Sequence, residues 1–275
     1  MHPMSIVTQW GSRDLLESPP PPQFYNIFTN NAFGDPSPSS GTNSLYATLR
    51  RLVPRPLPAN LNGYYELANR YARAFNPVLI DPTLTVNNEA DTVFLMRMYI
   101  VTPVCAVLGT STQYAVITTS EETVSDGRTI CRVDLSFAVR LSDAITKTFA
   151  VLEFKRPGSI KLEEWTPIIS GTGAIYGGAD IICRQLHKYA AIRETPFVGV
   201  CDGLSLVLLQ IGGTKETWKS DRPYSAQPNE AMYWWINDLN EMKRNLFLWL
   251  HGALEECITA WHQATIGDLV HYVPG

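Results

Sequence analysis

The chain has 275 residues, with 22 basic and 26 acidic side chains and a formal net charge of −4. Hydrophobic residues are 45% and charged residues only 17%. This excludes a disordered polyelectrolyte and a generally basic nucleic-acid coat, though not a local basic patch on an acidic body.

At the N-terminus, MHPMSIVTQWGSRD has no charged region followed by an apolar one, so no secretory signal is expected. Ten of the 19 prolines fall in the first 60 residues. The run Pro19-Pro20-Pro21-Pro22 and the segment PSPSSGTNS at 36–44 exclude a regular helix or a central strand. Residues 1–42 are therefore expected to form an irregular arm, held to the body by Trp10, Phe24, Tyr25, Phe28 and Phe33. Arg50, Arg51 and Arg55 cluster around a helix expected to end near Pro54.

The segment 62–75 carries apolar residues at helical spacing, and Asn76-Pro77 stops it. A second helix is expected to be capped at Asn87-Asn88 and to run from Glu89 through Met98 or beyond. Residues 103–120, rich in Val, Thr and Ile, read as a strand. ICRVDLSFAV (130–139) and FAVLEFK (149–155) alternate as strands do. ADIICRQLHKYAAIRE (179–194) reads as a helix, with His187 facing solvent. FVGVCDG and LSLVLLQIGG form an expected hairpin turned at Asp202-Gly203. Residues 229–262 read as one long helical region. Its Met232, Trp235, Leu239, Met242, Leu246 and Trp249 recur at helical spacing, which favours core packing over a homodimer face.

This order predicts an α/β fold with a mixed central β-sheet flanked by helices. The expected division is a proline-rich arm at 1–60, a core at 61–215, and a C-terminal helical extension at 216–275 packed on it. No run reaches the ~18 uninterrupted apolar residues of a membrane span, so no membrane association is expected. The five cysteines are widely spaced and form no CxxC. Neither a zinc ribbon nor a disulfide framework is indicated, and an intracellular location, nucleus or cytoplasm, is expected.

The chemistry concentrates on two strands. Glu153 and Lys155 are two apart and share a strand face, with Leu152 and Phe154 on the other. In the preceding strand Val133, Leu135, Phe137 and Val139 are expected on one face and Asp134, Ser136 and Arg140 on the other. A turn centred on Ser142-Asp143-Ala144 sets Asp134 opposite Glu153. Two facing carboxylates repel unless a cation lies between them. A hard divalent ion is bound by such carboxylates with a backbone carbonyl, here that of Phe154, and water. Lys155 beside it is suited to orient a water or stabilise charge on a phosphate oxygen. The implied chemistry is metal-assisted phosphodiester hydrolysis. An ordinary surface ion pair between Glu153 and Lys155 is the competing reading.

RVDLSFAV … FAVLEFKRPG resembles the D…(D/E)xK signature of the PD-(D/E)xK, or restriction-endonuclease-like, nuclease superfamily. Gln185 and Tyr189, in RQLHKYA, resemble the Q-x-x-x-Y element of its RecB-like and lambda-exonuclease-like branches. VLEFKRPG followed by QLHKYA is also similar to uncharacterised fungal members. The resemblance covers about 85–212, with Val133 standing where many members carry proline. It implies a restriction-endonuclease-like core and a Mg²⁺-dependent nuclease, Mn²⁺ substituting, acting on DNA more than RNA. It implies that Asp134, Glu153 and Lys155 carry metal and catalysis, that Glu89 is the best acidic residue from the first core helix, and that Gln185 and Tyr189 shape the site. The alternative is a catalytically inactive nuclease fold that binds nucleic acid or a protein.

The window 128–161 holds seven bases and three acids, a local +4. Arg156 and Lys161 lie in it, and Arg184 and Lys188 extend the basic run on the helix, as phosphate contacts require. The glycine-rich GTGAIYGG at 171–178 lacks the GK[ST] ending of a P-loop and is expected to be a mobile loop over the site.

Overall fold

The computed structural model describes residues 12–18, 46–55, 89–125, 130–213 and 230–270. Among them, seven strands form one mixed sheet in the order β1-β7-β6-β5-β4-β3-β2. The strands are β1 Arg51–Pro54, β2 Ala115–Ser125, β3 Ile130–Arg140, β4 Thr146–Phe154, β5 Phe197–Cys201, β6 Leu206–Ile211 and β7 Glu230–Ile236. β1/β7 and β4/β5 are parallel, and the other neighbours are antiparallel.

Helices cover both faces, as an α/β fold demands. On one face lie α1 (Ser12–Glu17), the run α2 (Glu89–Met96), a π-helical turn (Arg97–Val101) and α3 (Thr102–Leu108), and the long α6 (Leu239–Val270). They bury Leu135, Phe137, Leu152, Phe154 and Leu208 against Met242, Leu246 and Trp249. On the other face α4 (Leu162–Ser170) and α5 (Gly177–Arg193) bury Val151, Val198, Val200 and Val207 under Trp165, Ile182 and Leu186. Burial on both sides explains why β5 and β6 read as unbroken apolar runs rather than alternating ones. Gly199 lies where this packing leaves little room for a side chain. A Cβ there would lie 3.0 Å from Leu152 Cδ1 and 3.1 Å from Leu208 Cδ2.

The hairpin of β5 and β6 forms as expected, turned at 202–205. The β3–β4 register near the site is the one that sets 134 opposite 153, with Leu135 opposite Leu152 and Phe137 opposite Ala150. It gets there through a bulge. Nearer the turn the pairing is Ala138 with Thr148 and Arg140 with Thr146, which leaves Phe149 as the extra residue.

Several elements differ from expectation. The helix placed before Pro54 is strand β1, laid parallel to β7. Arg51 there pairs with Glu230 at 3.2 Å. Residues 103–108 are helical, not extended. Pro103 suits a first turn, and Val104, Val107 and Leu108 fall on one fully buried helical stripe. Their β-branched composition hid that spacing. Residues 230–236 form β7 rather than the start of the last helix, because β6 offers them a ladder from Leu206–Ile236 to Ile211–Ala231. The sheet therefore draws strands from the arm, the core and the C-terminal extension alike.

The arm is not wholly irregular: Leu15 and Leu16 of α1 are buried among the core residues that α6 supplies. Its five expected aromatic anchors, and the helix at 62–75, lie outside the described residues. Val133 packs with the α5 layer instead of with Leu135. β3 leaves β4 at Leu135, while its pairing with β2 continues in register to Ile130. His187 is fully buried, not solvent-facing. The 171–176 stretch is an exposed connection pinned at Ile175, which is buried, and at Tyr176, whose hydroxyl donates to the Glu163 carbonyl.

The helical run Glu89–Leu108 has 20 residues and, by length and composition, would suffice to cross a bilayer. Half of its most apolar window is buried within the protein. Met242, Leu246 and Trp249 of α6 are all buried, so this part of the apolar stripe packs the core, while Met232, on β7, is exposed.

Candidate active site at the end of strand β4

The site forms where β3 and β4 part. One pair beyond the last ladder rung, Asp134 does not pair as backbone. Its Oδ2 accepts the Phe154 N–H at 2.8 Å, so a side chain takes over where the ladder stops. The next backbone donor, Lys155 N–H, goes the other way, to the Cys201 carbonyl of β5 at 2.8 Å. The end of β4 is thus held on both edges, by a carboxylate and by a parallel strand.

Between these anchors Glu153 points to the α5 side. Lys155 Nζ donates to its Oε1 at 2.6 Å, and Gln185 Nε2 donates to the same oxygen at 2.7 Å. Gln185 Nε2 also lies 2.5 Å from the Tyr189 hydroxyl, one turn on along α5. That hydroxyl donates to the Arg132 carbonyl of β3 at 2.9 Å. The chain of contacts runs from β4 through α5 and back to β3. Glu153 is 3% exposed and Lys155 5%. A buried ion pair of this kind makes the competing surface-pair reading untenable.

Burial dominates the electrostatics. Desolvation pushes the Glu153 carboxyl up to about 8, against the pull of Lys155 and with a further push from Asp134. Burial draws the Lys155 ammonium down, but Glu153, Glu89 and Asp134 outweigh it and the net shift is upward. Glu89, half-buried at the start of α2, is raised by burial and by Asp134 and opposed by Lys155, Arg156 and Arg132. Three acids from three elements therefore act on one lysine. The second Glu153 oxygen, Oε2, is buried without a partner, as is Gln185 Oε1. An orphaned carboxylate oxygen beside another carboxylate suits a hard cation. Among the described residues, no group of three acidic, histidine or cysteine side chains could hold an ion alone. Any donor set here would be completed by a backbone carbonyl and water.

The other sequence candidates divide. Arg156 is exposed next to the site, and Lys161 is half-buried just before α4. Arg184 is occupied structurally, with Asp180 at 2.9 Å and the Tyr46 carbonyl at 3.0 Å. Lys188 is 2% exposed, so the basic run expected along α5 does not present a face to solvent. Asp202, read from sequence as a simple turn residue, is fully buried and bonded to the loop that follows Lys155. Only the Asp-Gly pair signalled it, and that pair reports a turn, not a contact 42 residues away.

Comparison with protein-family models, with curated proteins and with solved structures returns no match.

Proposed function

We propose that this chain is a divalent-metal-dependent nuclease with a restriction-endonuclease-like core, hydrolysing phosphodiester bonds in DNA. The observation that carries the proposal is the convergence on Glu153: Lys155 and Gln185 share one of its oxygens while the other is buried and unpartnered. The element order is in keeping with that core: a helix, three antiparallel strands, helices, then a strand parallel to the third.

Asp134 and Glu153 would hold the ion, Mg²⁺ or Mn²⁺, with the Phe154 carbonyl and with Glu89 from α2. Such an ion would supply charge neutralisation at the phosphate and a nucleophilic water near neutral pH. The chain's own residues do the rest. Lys155 carries positive charge to the scissile phosphate oxygens. Gln185 fixes the Glu153 carboxylate, and Tyr189 fixes Gln185 to β3. Arg156 is the exposed base nearest in sequence and is suited to a flanking phosphate.

The test is incubation of wild type, Glu153→Ala and Lys155→Ala with linear, circular and single-stranded DNA and either cation. Cleavage by wild type alone is the expected result; equal inactivity of all three removes the reading. A second reading is favoured by one observation: Lys155 already neutralises Glu153, and both side chains are closed from solvent. On that reading the fold binds nucleic acid or a protein without cutting. Mn²⁺ titration separates the two, because an inactive site shows no binding that Asp134→Ala abolishes.

A further inference from the structure

The loop that follows Lys155 is a tight turn. Ser159 N–H donates to the Arg156 carbonyl at 3.1 Å, with Pro157 and Gly158 between them. Gly158 has φ +77°, the left-handed value that the third position of a type II turn requires. This turn does not stand alone. Ile160 N–H donates to Asp202 Oδ2 at 3.0 Å. The other oxygen, Oδ1, accepts the N–H groups of Leu204 at 3.0 Å and Ser205 at 2.8 Å. One fully buried carboxylate thus ties two turns together, one after β4 and one after β5.

The consequence falls on Lys155. Its own N–H is on Cys201, the residue before Asp202, and the turn starting at Arg156 is on Asp202 itself. Lys155 is the residue flanked by these two anchors. A lysine side chain is among the richest in rotamer entropy, which an ordered backbone alone does not remove. Its ammonium reaches Glu153 Oε1 at 2.6 Å only if the backbone bearing it stays fixed against β5. Burying a carboxylate is costly, and a turn of the Asp202–Ser205 kind is satisfied by one of its oxygens. The second oxygen is the one spent on the Lys155 loop.

We propose that Asp202 is a positioning residue of the candidate site, acting through the 156–160 turn to hold Lys155 against Glu153. The role rests on the nuclease reading only as far as activity is concerned; the placement of Lys155 does not depend on it.

Asp202→Asn is the discriminating variant. Its side-chain oxygen still serves Leu204 and Ser205, while the amide cannot accept from Ile160. Lysine labelled with ¹³C reports the mobility of the Lys155 Cε methylene, with buried Lys188 as internal control. In Asp202→Asn the Lys155 signal should gain the mobility of an exposed lysine, while Lys188 and the Leu204 and Ser205 amides stay unchanged. Gly158→Ala, which strains the same turn at its left-handed position and leaves the Asp202 carboxylate in place, should mobilise Lys155 in the same direction and serves where the first variant folds poorly. If the wild type cleaves DNA, kcat falls about tenfold with KM unchanged, as for residues that orient a site from outside it. An immobile Lys155 in either folded variant overturns the proposal. Failure of the wild type to cleave or to bind Mn²⁺ counts against the nuclease reading alone, since the Lys155 mobility is still measured.

Discussion

Gln185 donates from α5 to Glu153 Oε1 on β4 at 2.7 Å, the same oxygen that Lys155 reaches at 2.6 Å. Two elements from different layers therefore meet at a single carboxylate oxygen. Gln185→Leu keeps the helix and most of the volume but removes one donor. Loss of the donor disfavours the charged form, so the Glu153 carboxyl should move further up. Under the proposed function, DNA cleavage should fall ten- to a hundredfold, about the loss seen when a supporting hydrogen bond of a metal site is removed.

The pH dependence of stability should show two opposed slopes. Glu153 is raised in the fold to about 8 from an ordinary 4.5, so its contribution is full below 4.5 and is lost as pH rises to 8. His187 is lowered by burial to about 4 from an ordinary 6.5, so its contribution is present above 6.5 and is lost as pH falls to 4. Between pH 4.5 and 6.5 the two nearly cancel. Urea denaturation over pH 4 to 9 should then show Glu153→Gln gaining stability with pH between 4.5 and 6.5. His187→Phe should lose stability over the same interval.

Tyr189→Phe deletes the hydroxyl that bonds the Arg132 carbonyl at 2.9 Å and contacts Gln185 at 2.5 Å. Losing one intramolecular hydrogen bond costs about 0.5–1.5 kcal/mol. The midpoint of thermal unfolding should drop accordingly, and Gln185 should lose its fixed orientation. An unchanged midpoint would show that the Tyr189 hydroxyl adds nothing to stability.

Gly199→Val should be more damaging than Gly199→Ala, although valine is the better strand former. The new Cβ lies 3.0 Å from Leu152 Cδ1, and Leu152 directly precedes Glu153. Overpacking of this kind costs about 1–3 kcal/mol. Chemical denaturation gives the cost, and the amide shifts of Glu153 and Lys155 should move with it.

The candidate site was legible because strand periodicity is local. Glu153 and Lys155 two apart must share a face, and Gln185 and Tyr189 four apart must share a helix side. The pairing of Asp134 with Glu153 was legible only in part. The expected register holds beside the site, but through a bulge at Phe149, and Asp134 meets a backbone amide instead of a facing rung. Lys188 and His187 were misjudged because α5 is buried nearly all round, which charged and polar residues on a helix do not announce.

Composition and local pattern alone determined the α/β class, the hairpin of β5 and β6, the sidedness of Glu153 and Lys155, and the Gln185–Tyr189 turn. The tertiary structure decided what local pattern cannot. It made 103–108 a helix by burying one stripe of it, and 230–236 a strand by offering β6 as a partner. It also took Asp202 from a turn into contact with the loop of Lys155. The physical reason is range. Dihedral preference and side-chain alternation act over a few neighbouring residues, while burial and hydrogen-bond satisfaction depend on whichever segment the fold brings alongside.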